Sequence, residues 1–534
     1  MVTWSSQLAS AALVFGALLF SACSSTPTTQ QGAQGTPVPQ GPYGSLVIMG
    51  NLGSGGIDPV LTTGDIYLSI GNAYLDTLLI YDDKDQVQPG IAERWEISDD
   101  GLSQTFYIRK GVKFQNGDDL TGADVKFSVE RMMAPEVTHQ DAAVWRAAIT
   151  SVDLRDDYTV VFRMKQPQLE LLKGMDGGMA AVMPKKYIGQ NGVDYFQKHP
   201  MGSGPWKVVK FEIGNFVELE AVDSHWRKVP AFKNLTIRGV MEEASAVAQL
   251  KTGELDLALV APDSVAGLKS AGIRIMTFDR GANYFIWPFF DITNPAKYAL
   301  GDVRVRKAAQ LAINQKEIGA NLLGGNGGPK AMAYVNSNAY FWDPNQIRLD
   351  PYDPDGAKKL LTDAGYPNGF DTKLYDVGAG SILSTLGQAV AGYWRKVGMN
   401  IEIVPMDYGT FRLKYNPKQL PEIWNTFWIY RANYYRNFEG IPLVYHSSRS
   451  SVKNLNDPTL DALIDKIPQT KDAAEKKKLA LEAAVRGHDA YTTLAAVEAY
   501  PTLALSAKVG QVNRTAAVVT TIWAAAFEEI THGK

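Results

Sequence analysis

From Leu46 to the C-terminus, helical and strand patterns alternate without long gaps, and glycine is sparse within the longer helical patterns and common between elements. That alternation restricts the chain to a mixed α/β body. With 534 residues, three or so structural units are expected. Thr105 to Arg109 is β-rich, and Val112 to Phe114 follows after Lys110-Gly111, which predicts a hairpin between the two runs. Asn116-Gly117 is a strong turn signal. Thr121 and Asp124 form a capping-box variant before Val125, Val129, Met132 and Met133, so a helix starts there. Tyr158 to Met164 alternates as a strand. Asp302 is placed to cap a helix carrying Val305, Ala308, Ala309, Ala312 and Ile313.

The first charged side chain is Asp58. Leu8 to Phe20 is a short apolar run of signal-core length, shorter than the roughly 20 residues that span a bilayer. Ser21, Ala22 and the only cysteine, Cys23, follow. Ser24 to Ser45 is Ser, Thr, Gln, Gly and Pro with almost nothing apolar, and reads as a flexible tether reaching about 25 Å. An uncleaved membrane anchor is the other reading of this N-terminal segment.

Composition removes several functions. Lys plus Arg is 53 and Asp plus Glu is 56, a net charge of −3 without the basic excess of a nucleic-acid binder. One thiol allows neither an intramolecular disulfide nor a Cys-based metal site. No Gly-x-Ser-x-Gly elbow or His-Glu-x-x-His pair occurs, and histidines 139, 199, 225, 446, 488 and 532 are scattered. Gly324, Gly325, Gly327 and Gly328 lack the Lys-Ser/Thr ending of a phosphate loop and read as a helix terminator and turn. Asp353-Pro354-Asp355 resembles the start of a calcium loop, but Ala357 and Ala364 occupy ligand positions. Asp353 is instead read as a helix cap, with Pro354 in the first turn, Ala357, Leu360, Leu361 and Ala364 on the buried face and Gly365 at the end. No catalytic residues, metal site or cofactor are therefore expected, although a triad dispersed in sequence is recognised only by geometry.

Aromatic residues are concentrated in two places. Asn283-Tyr-Phe-Ile-Trp-Pro-Phe-Phe290 is one cluster. Trp424, Phe427, Trp428, Tyr430, Tyr434, Tyr435 and Phe438 form another, with Arg431 and Arg436 inside it. Any one of these aromatics also suits a packed core, but in the second cluster Trp and Tyr mixed with Arg and Asn suit an apolar cavity with a few orienting polar groups better than a dry core.

Ordered motifs carry a family resemblance. Gly90-Ile-Ala-Glu-Arg-Trp-Glu-Ile-Ser-Asp-Asp-Gly-Leu102 precedes Thr105-Phe-Tyr-Ile-Arg-Lys-Gly-Val-Lys-Phe114, Asn116-Gly117 and Leu120-Thr-Gly-Ala-Asp-Val-Lys-Phe-Ser-Val-Glu-Arg131. Gly202-Ser-Gly-Pro-Trp206, Lys251-Thr-Gly-Glu-Leu-Asp256, Asp302-Val-Arg-Val-Arg306 and the Asp353 to Gly365 segment follow in order. This resembles the family 5 extracellular solute-binding proteins, the oligopeptide/dipeptide/nickel-binding group, over about residues 46 to 534. The N-terminus resembles a bacterial lipoprotein signal, with Cys23 as the lipidated residue.

The resemblance implies an α/β, two-lobed periplasmic-binding-protein-like fold with an extra subdomain in the first lobe. The expected organisation is signal peptide 1–22, tether 23–45, first lobe 46–85, inserted subdomain 86–196, first lobe 197–290, second lobe 291–496 and first lobe 497–534. It implies an extracytoplasmic receptor that captures a small organic ligand (peptide-like, sugar or organic acid) between the lobes. Delivery would be to the transmembrane subunits of an ABC importer permease. A lipid anchor in the membrane and a monomer are expected, with neither nucleic acid nor cofactor. A secreted hydrolase on a related scaffold and a signalling receptor are the alternatives.

Ligand contacts are expected from the Asn51 to Gly56 loop (Asn51 and Gly53), from Tyr284 and Trp287, and from Trp424, Trp428 and Arg431. Peptide-binding members carry a Trp-x-x-Asp-Tyr pattern whose Asp meets the peptide's amino terminus. Here Trp428-Ile-Tyr-Arg-Ala432 puts Arg431 in that position, which favours a carboxylate over an ammonium group. In an alternative frame Asn433-Tyr434 matches Asp-Tyr and the site is neutral. Either frame points to a neutral or anionic organic ligand, sugars included. Nickel or haem ligation has no histidine cluster to support it.

Overall fold

The computed structural model describes residues 41–533 except 51, 53–56, 61–64, 83–86, 138–139, 170, 172–179, 241, 278–281, 289–294, 333–338, 377–381, 407–409, 411–422, 426–454, 501 and 513–525. The expected signal segment and Cys23 lie outside the described residues. Strands in chain order are β1 (Ser45–Gly50), β2 (Leu79–Tyr81), β3 (Val87–Pro89), β4 (Ala92–Ile97), β5 (Ser103–Ile108), β6 (Ile149–Asp156) and β7 (Thr159–Met164). Then come β8 (Trp206–Glu212), β9 (Phe216–Ala221), β10 (Asn234–Gly239), β11 (Leu257–Leu259), β12 (Arg274–Thr277) and β13 (Ala282–Pro288). The last six are β14 (Gly327–Gly328), β15 (Phe370–Asp376), β16 (Met399–Pro405), β17 (Ile423–Asn425), β18 (Leu494–Ala499) and β19 (Thr502–Leu505).

Two large sheets define two lobes. The first has the order β12-β19-β11-β1-β10-β9-β8, and the second β14-β18-β13-β17-β15-β16. In the first, β1 runs parallel to both neighbours, in register with β10 from Ser45↔Asn234 to Gly50↔Gly239. In the second, β15 runs parallel to β16 and β17, while β13 is antiparallel to β17 and β18. A third, antiparallel sheet, β4-β5-β7-β6, lies within the expected inserted segment. The chain leaves for it and returns at one place, where Leu78 N–H donates to the Ala180 carbonyl and Val182 N–H to that of Asp76.

Each large sheet is packed on both faces. Leu46, Ile48, Leu235 and Ile237 share one core with Phe106, Phe162 and Trp206, so the four-stranded sheet is built onto the first lobe's core. Ala258, Ala504, Leu250 and Leu268 form the core on the other face. Along β15, Leu374 enters the core with Val305, Trp394 and Val497, and Tyr375 enters the opposite core with Leu460, Ile464 and Ala480. Successive residues of a strand point to opposite faces, so a doubly covered sheet takes apolar residues at consecutive positions.

Local signals act as read. Thr121 and Asp124 make a reciprocal capping box on the helix Gly122–Met132, with Val125, Val129 and Met132 buried. Asp302 caps Val303–Leu311, and Asp353 caps Pro354–Asp363 by accepting from Gly356 N–H. Gly365 then takes φ +96°, a left-handed conformation that glycine enters without a Cβ clash.

Several expectations are corrected. Residues 105–109 do not pair with 112–114: β5 lies between β4 and β7. The short hairpin instead joins 112–114 to 118–120 around Asn116-Gly117, with Phe114 N–H donating to Asp118 and Leu120 N–H to Val112. The strand pattern at 105–109 is real, but alternation carries no information about the partner. The tether expected to reach residue 45 is tied down from Tyr43, whose ring stacks 3.8 Å from His532 and whose N–H donates to Ala231. The lobe boundaries expected at 290/291 and 496/497 also move. β13 and all of β18 pair in the second sheet, so the chain crosses between Thr277 and Ala282 and again between Ala499 and Thr502. Pairing, rather than local pattern, decides to which lobe a strand belongs.

Two buried charge clusters add specificity. Asp58, fully buried, meets Arg131 bidentately at 2.9 and 2.5 Å, joining the segment after β1 to the helix Gly122–Met132. Replacing Arg131 by Met leaves that carboxylate uncompensated, and urea unfolding should lose about 3–5 kcal/mol. His488 lies 3.3 Å from Asp350 and 3.1 Å from Asp489. Burial opposes its charge, but the two carboxylates prevail and raise its pKa to about 9. A raised pKa contributes stability that is complete below about 6.5 and is lost as pH rises through about 9. Unfolding free energy of His488→Gln relative to the parent should therefore converge across that window, from a difference on the order of 3 kcal/mol.

Candidate ligand-binding site

In open parallel sheets, ligands collect beyond the carboxyl ends of the strands, where strand order switches direction. In the second sheet that edge is Asp376 of β15, Pro405 of β16 and Asn425 of β17, which are register partners across the three strands. Asp376 is buried, accepts a 2.5 Å hydrogen bond from the Ser384 hydroxyl, and uses its carbonyl to hold Met406 N–H at 2.9 Å. The carboxylate and Ser384 thereby fix the end of β15 against the helix Ile382–Lys396.

The backbone brings part of the expected contact set together. β13 and β17 are antiparallel neighbours in which Trp287 is paired with Trp424. Trp424 is also the register partner of Tyr375 on β15. Two aromatic clusters 137 positions apart in sequence thus meet at one register row of three adjacent strands. Tyr284 pairs with Val497, and the β13–β18 register shifts just after it, between Tyr284 and Phe285. Such a bulge bends the strand and re-aims the side chains beyond it, a device common beside binding sites.

The other expected contacts, Asn51, Gly53, Trp428 and Arg431, lie outside the described residues. Their segments begin at described anchors. Gly50 ends β1 so close to β10 that a Cβ would stand 2.4 Å from Ile237 Cγ2. Leu52 and Ile57 are buried in the first-lobe core, and the Tyr74 hydroxyl donates to the Ile57 carbonyl at 2.8 Å. Asn425 ends β17 on the way to Trp428.

Sequence reasoning missed one charged pair. Lys330 is buried just beyond β14, with Nζ 3.6 Å from a carboxylate oxygen of Glu498 on β18. Burial pushes the ammonium pKa down to about 8, with Glu498 opposing the shift. The two residues are 168 positions apart and no local pattern links them. Among the described residues, no group of three or more His, Cys, Asp or Glu side chains is arranged to hold a metal ion. Also among them, no helix is long and apolar enough to cross a membrane.

Similarities to known proteins fit this architecture. The glutathione-binding protein GsiB of Salmonella paratyphi A is 27% identical over 356 residues, 66% of this chain and 68% of its own. The fold matches the Helicobacter pylori periplasmic binding protein DppA in complex with the peptide STSA, with a TM-score of 0.77 and 22% identity over 92% of this chain and 98% of that one. It matches AgaA of A. tumefaciens R10 in complex with agropinic acid, with a TM-score of 0.78 and 20% identity over 92% and 99%. It matches NikZ of Campylobacter jejuni in complex with Ni(L-His), with a TM-score of 0.75 and 20% identity over 91% and 99%. The family model described as bacterial extracellular solute-binding proteins, family 5 Middle, matches residues 86–450, more than half of the chain. With that match and two α/β lobes joined by two crossings, the chain belongs to the family 5 bacterial extracellular solute-binding proteins.

Proposed function

We propose that this protein is the receptor of an ABC importer: it encloses a small organic ligand between its lobes and presents it to a membrane permease. The observation that carries this reading is the double crossing of the chain between two otherwise separate sheets, at 277–282 and 499–502. Two short connections allow the lobes to hinge about a line and close on a ligand. Cys23 is the lipid attachment point, and residues 24 to about 42 form the tether that keeps a monomeric receptor at the outer face of the membrane. The inserted subdomain, about residues 77 to 181, is a buttress of the first lobe.

The ligand is a neutral or anionic organic compound, held by Tyr284 and Trp287 on one strand, by Trp424 and Trp428 on or beyond the next, and by the Asn51 to Gly56 loop. Arg431 faces a ligand carboxylate. The ligands of the similar structures, a peptide, agropinic acid and a nickel–histidine complex, support the breadth of this class. The adjacency of Trp287 and Trp424 supports an aromatic platform for apolar or sugar-ring surface.

Native mass spectrometry of the purified protein, with denaturing release, should yield a bound molecule below about 1 kDa, the drug-to-peptide size that such clefts enclose. In parallel, thermal unfolding is followed with glutathione, agropinic acid, Met-Leu, nickel–histidine and a disaccharide. A true ligand at a hundredfold its Kd stabilises by about 2.7 kcal/mol. No retained mass and no stabilisation by any probe would overturn the receptor reading. For an acidic ligand found in this way, Arg431→Ala should weaken binding at least about tenfold, or 1.4 kcal/mol. Unchanged affinity would remove Arg431 from the site.

A further inference from the structure

The second crossing is short: β18 ends at Ala499, β19 begins at Thr502, and only Tyr500 and Pro501 lie between. A change in lobe angle at so short a connection falls on few backbone torsions. Its lobe-two side is held on both flanks, by β13, whose Ala282 and Asn283 pair with Ala499 and Glu498, and by a glycine-rich segment. Gly327 and Gly328, as β14, pair with Ala499 and Glu498, the last two residues of β18. Tyr500 N–H, already past the strand end, donates to the Asn326 carbonyl at 2.8 Å. Gly327 fits only without a side chain, since a Cβ there would meet the Glu498 carbonyl at 2.6 Å. The segment is itself fixed at its far end, where Lys330 N–H donates to Gln315 Oε1 at 2.7 Å in a buried bond from the helix Gln315–Leu322. Its side chain then reaches back, with Nζ buried and 3.6 Å from Glu498.

We infer that residues 326–330 are a strap that sets where the second lobe's rigid body ends, and that the Lys330–Glu498 ion pair is its charge-dependent fastening, controlling the freedom of the connection that follows Ala499. This rests on the receptor reading, in which the lobes move. The glycine-rich loop is thereby given a positioning role that no phosphate or catalytic motif accounts for. Among the described residues, Glu498 from β18 is a titratable group facing the ammonium, with Tyr500 beside Glu498, and the helix Gln315–Leu322 offers the neutral Gln315. Asn283, the register partner of Glu498 on β13, is also neutral.

The direction of the effect with pH is distinctive. Burial lowers the Lys330 pKa from 10.5 to about 8, so the folded protein loses this charge first. Between those values the unfolded chain binds the extra proton, and linkage makes this group's contribution to global stability rise with pH. The fastening is lost over the same window. Loosening of the hinge is thus separable from general unfolding.

The test is a distance distribution between spin labels on the full chain, with Cys23 replaced by Ser and labels at Lys269→Cys in the first lobe and Lys358→Cys in the second, both exposed positions. Without ligand at pH 7, Lys330→Met should broaden the distribution at least twofold relative to the parent, and Glu498→Gln should do the same. Raising the pH from 7 to 9 should broaden the parent and leave Lys330→Met unchanged. If Lys330→Met does not fold, the Glu498→Gln and parent arms decide. Equal widths in the parent and folded variants, with no pH response in the parent, would overturn the strap. Failure of the receptor reading has a different signature: glutathione, agropinic acid, Met-Leu, nickel–histidine and the disaccharide would each leave the parent's distances unmoved, whatever the variants do.

Discussion

The antiparallel pairing of β18 with β13 is the contact on which the two-lobed arrangement depends. These strands are the last element before one crossing and the first after the other, and they lie side by side in the second sheet. Their ladder holds both connections at one edge of that lobe. On the other side, β19 is held between β11 and β12 in the first sheet. Each connection is therefore short because strand pairing begins almost at once on either side of it. Short connections leave few backbone torsions between the sheets, the arrangement that hinged two-lobed proteins use.

Rigidity within the lobes comes from double-sided packing. Leu374 and Tyr375, neighbours on β15, enter separate cores, and Trp394 is fully buried with its indole N–H donating to the Ala309 carbonyl at 2.8 Å. Burial of an aromatic or aliphatic side chain of this size contributes roughly 1.5–3 kcal/mol. Two of the buried carboxylates are matched as follows: Asp58 by Arg131, and Asp256 by Val47 N–H, the Ser506 hydroxyl and Lys508. Asp256, just before β11, thereby links β1 at Val47 to the residues that follow β19, Ser506 and Lys508, and ties the middle of the first sheet together.

The legibility of the candidate site tracks the range of the interactions that build it. Trp287 and Trp424 belong to two aromatic clusters visible in the sequence, and the strands place these two residues in register. That adjacency itself was not readable, because a run of apolar residues specifies a strand without naming its neighbour. Lys330 and Glu498 were invisible for the same reason. A lysine after a glycine-rich turn is ordinary, and only the return of the chain along β18 makes it buried and paired. The hairpin expected over 105–114 fails in the same way: Asn116-Gly117 turns 112–114 back onto 118–120, while β5 pairs with β4 and β7.

What the sequence determined by itself is the local and the ordered. Thr121 with Asp124, Asp302, and Asp353 with Pro354 marked helix starts, because a cap is satisfied by backbone groups within a few residues. The order of the motifs from Gly90 to Gly365 pointed to the family, because motif order is a property of the chain alone. Tertiary structure alone decided which strands belong to which sheet, where the chain passes from one sheet to the other and which charges are buried. Those outcomes depend on pairings between segments separated by up to hundreds of residues, and their free energy appears only when both partners have been brought together and removed from water.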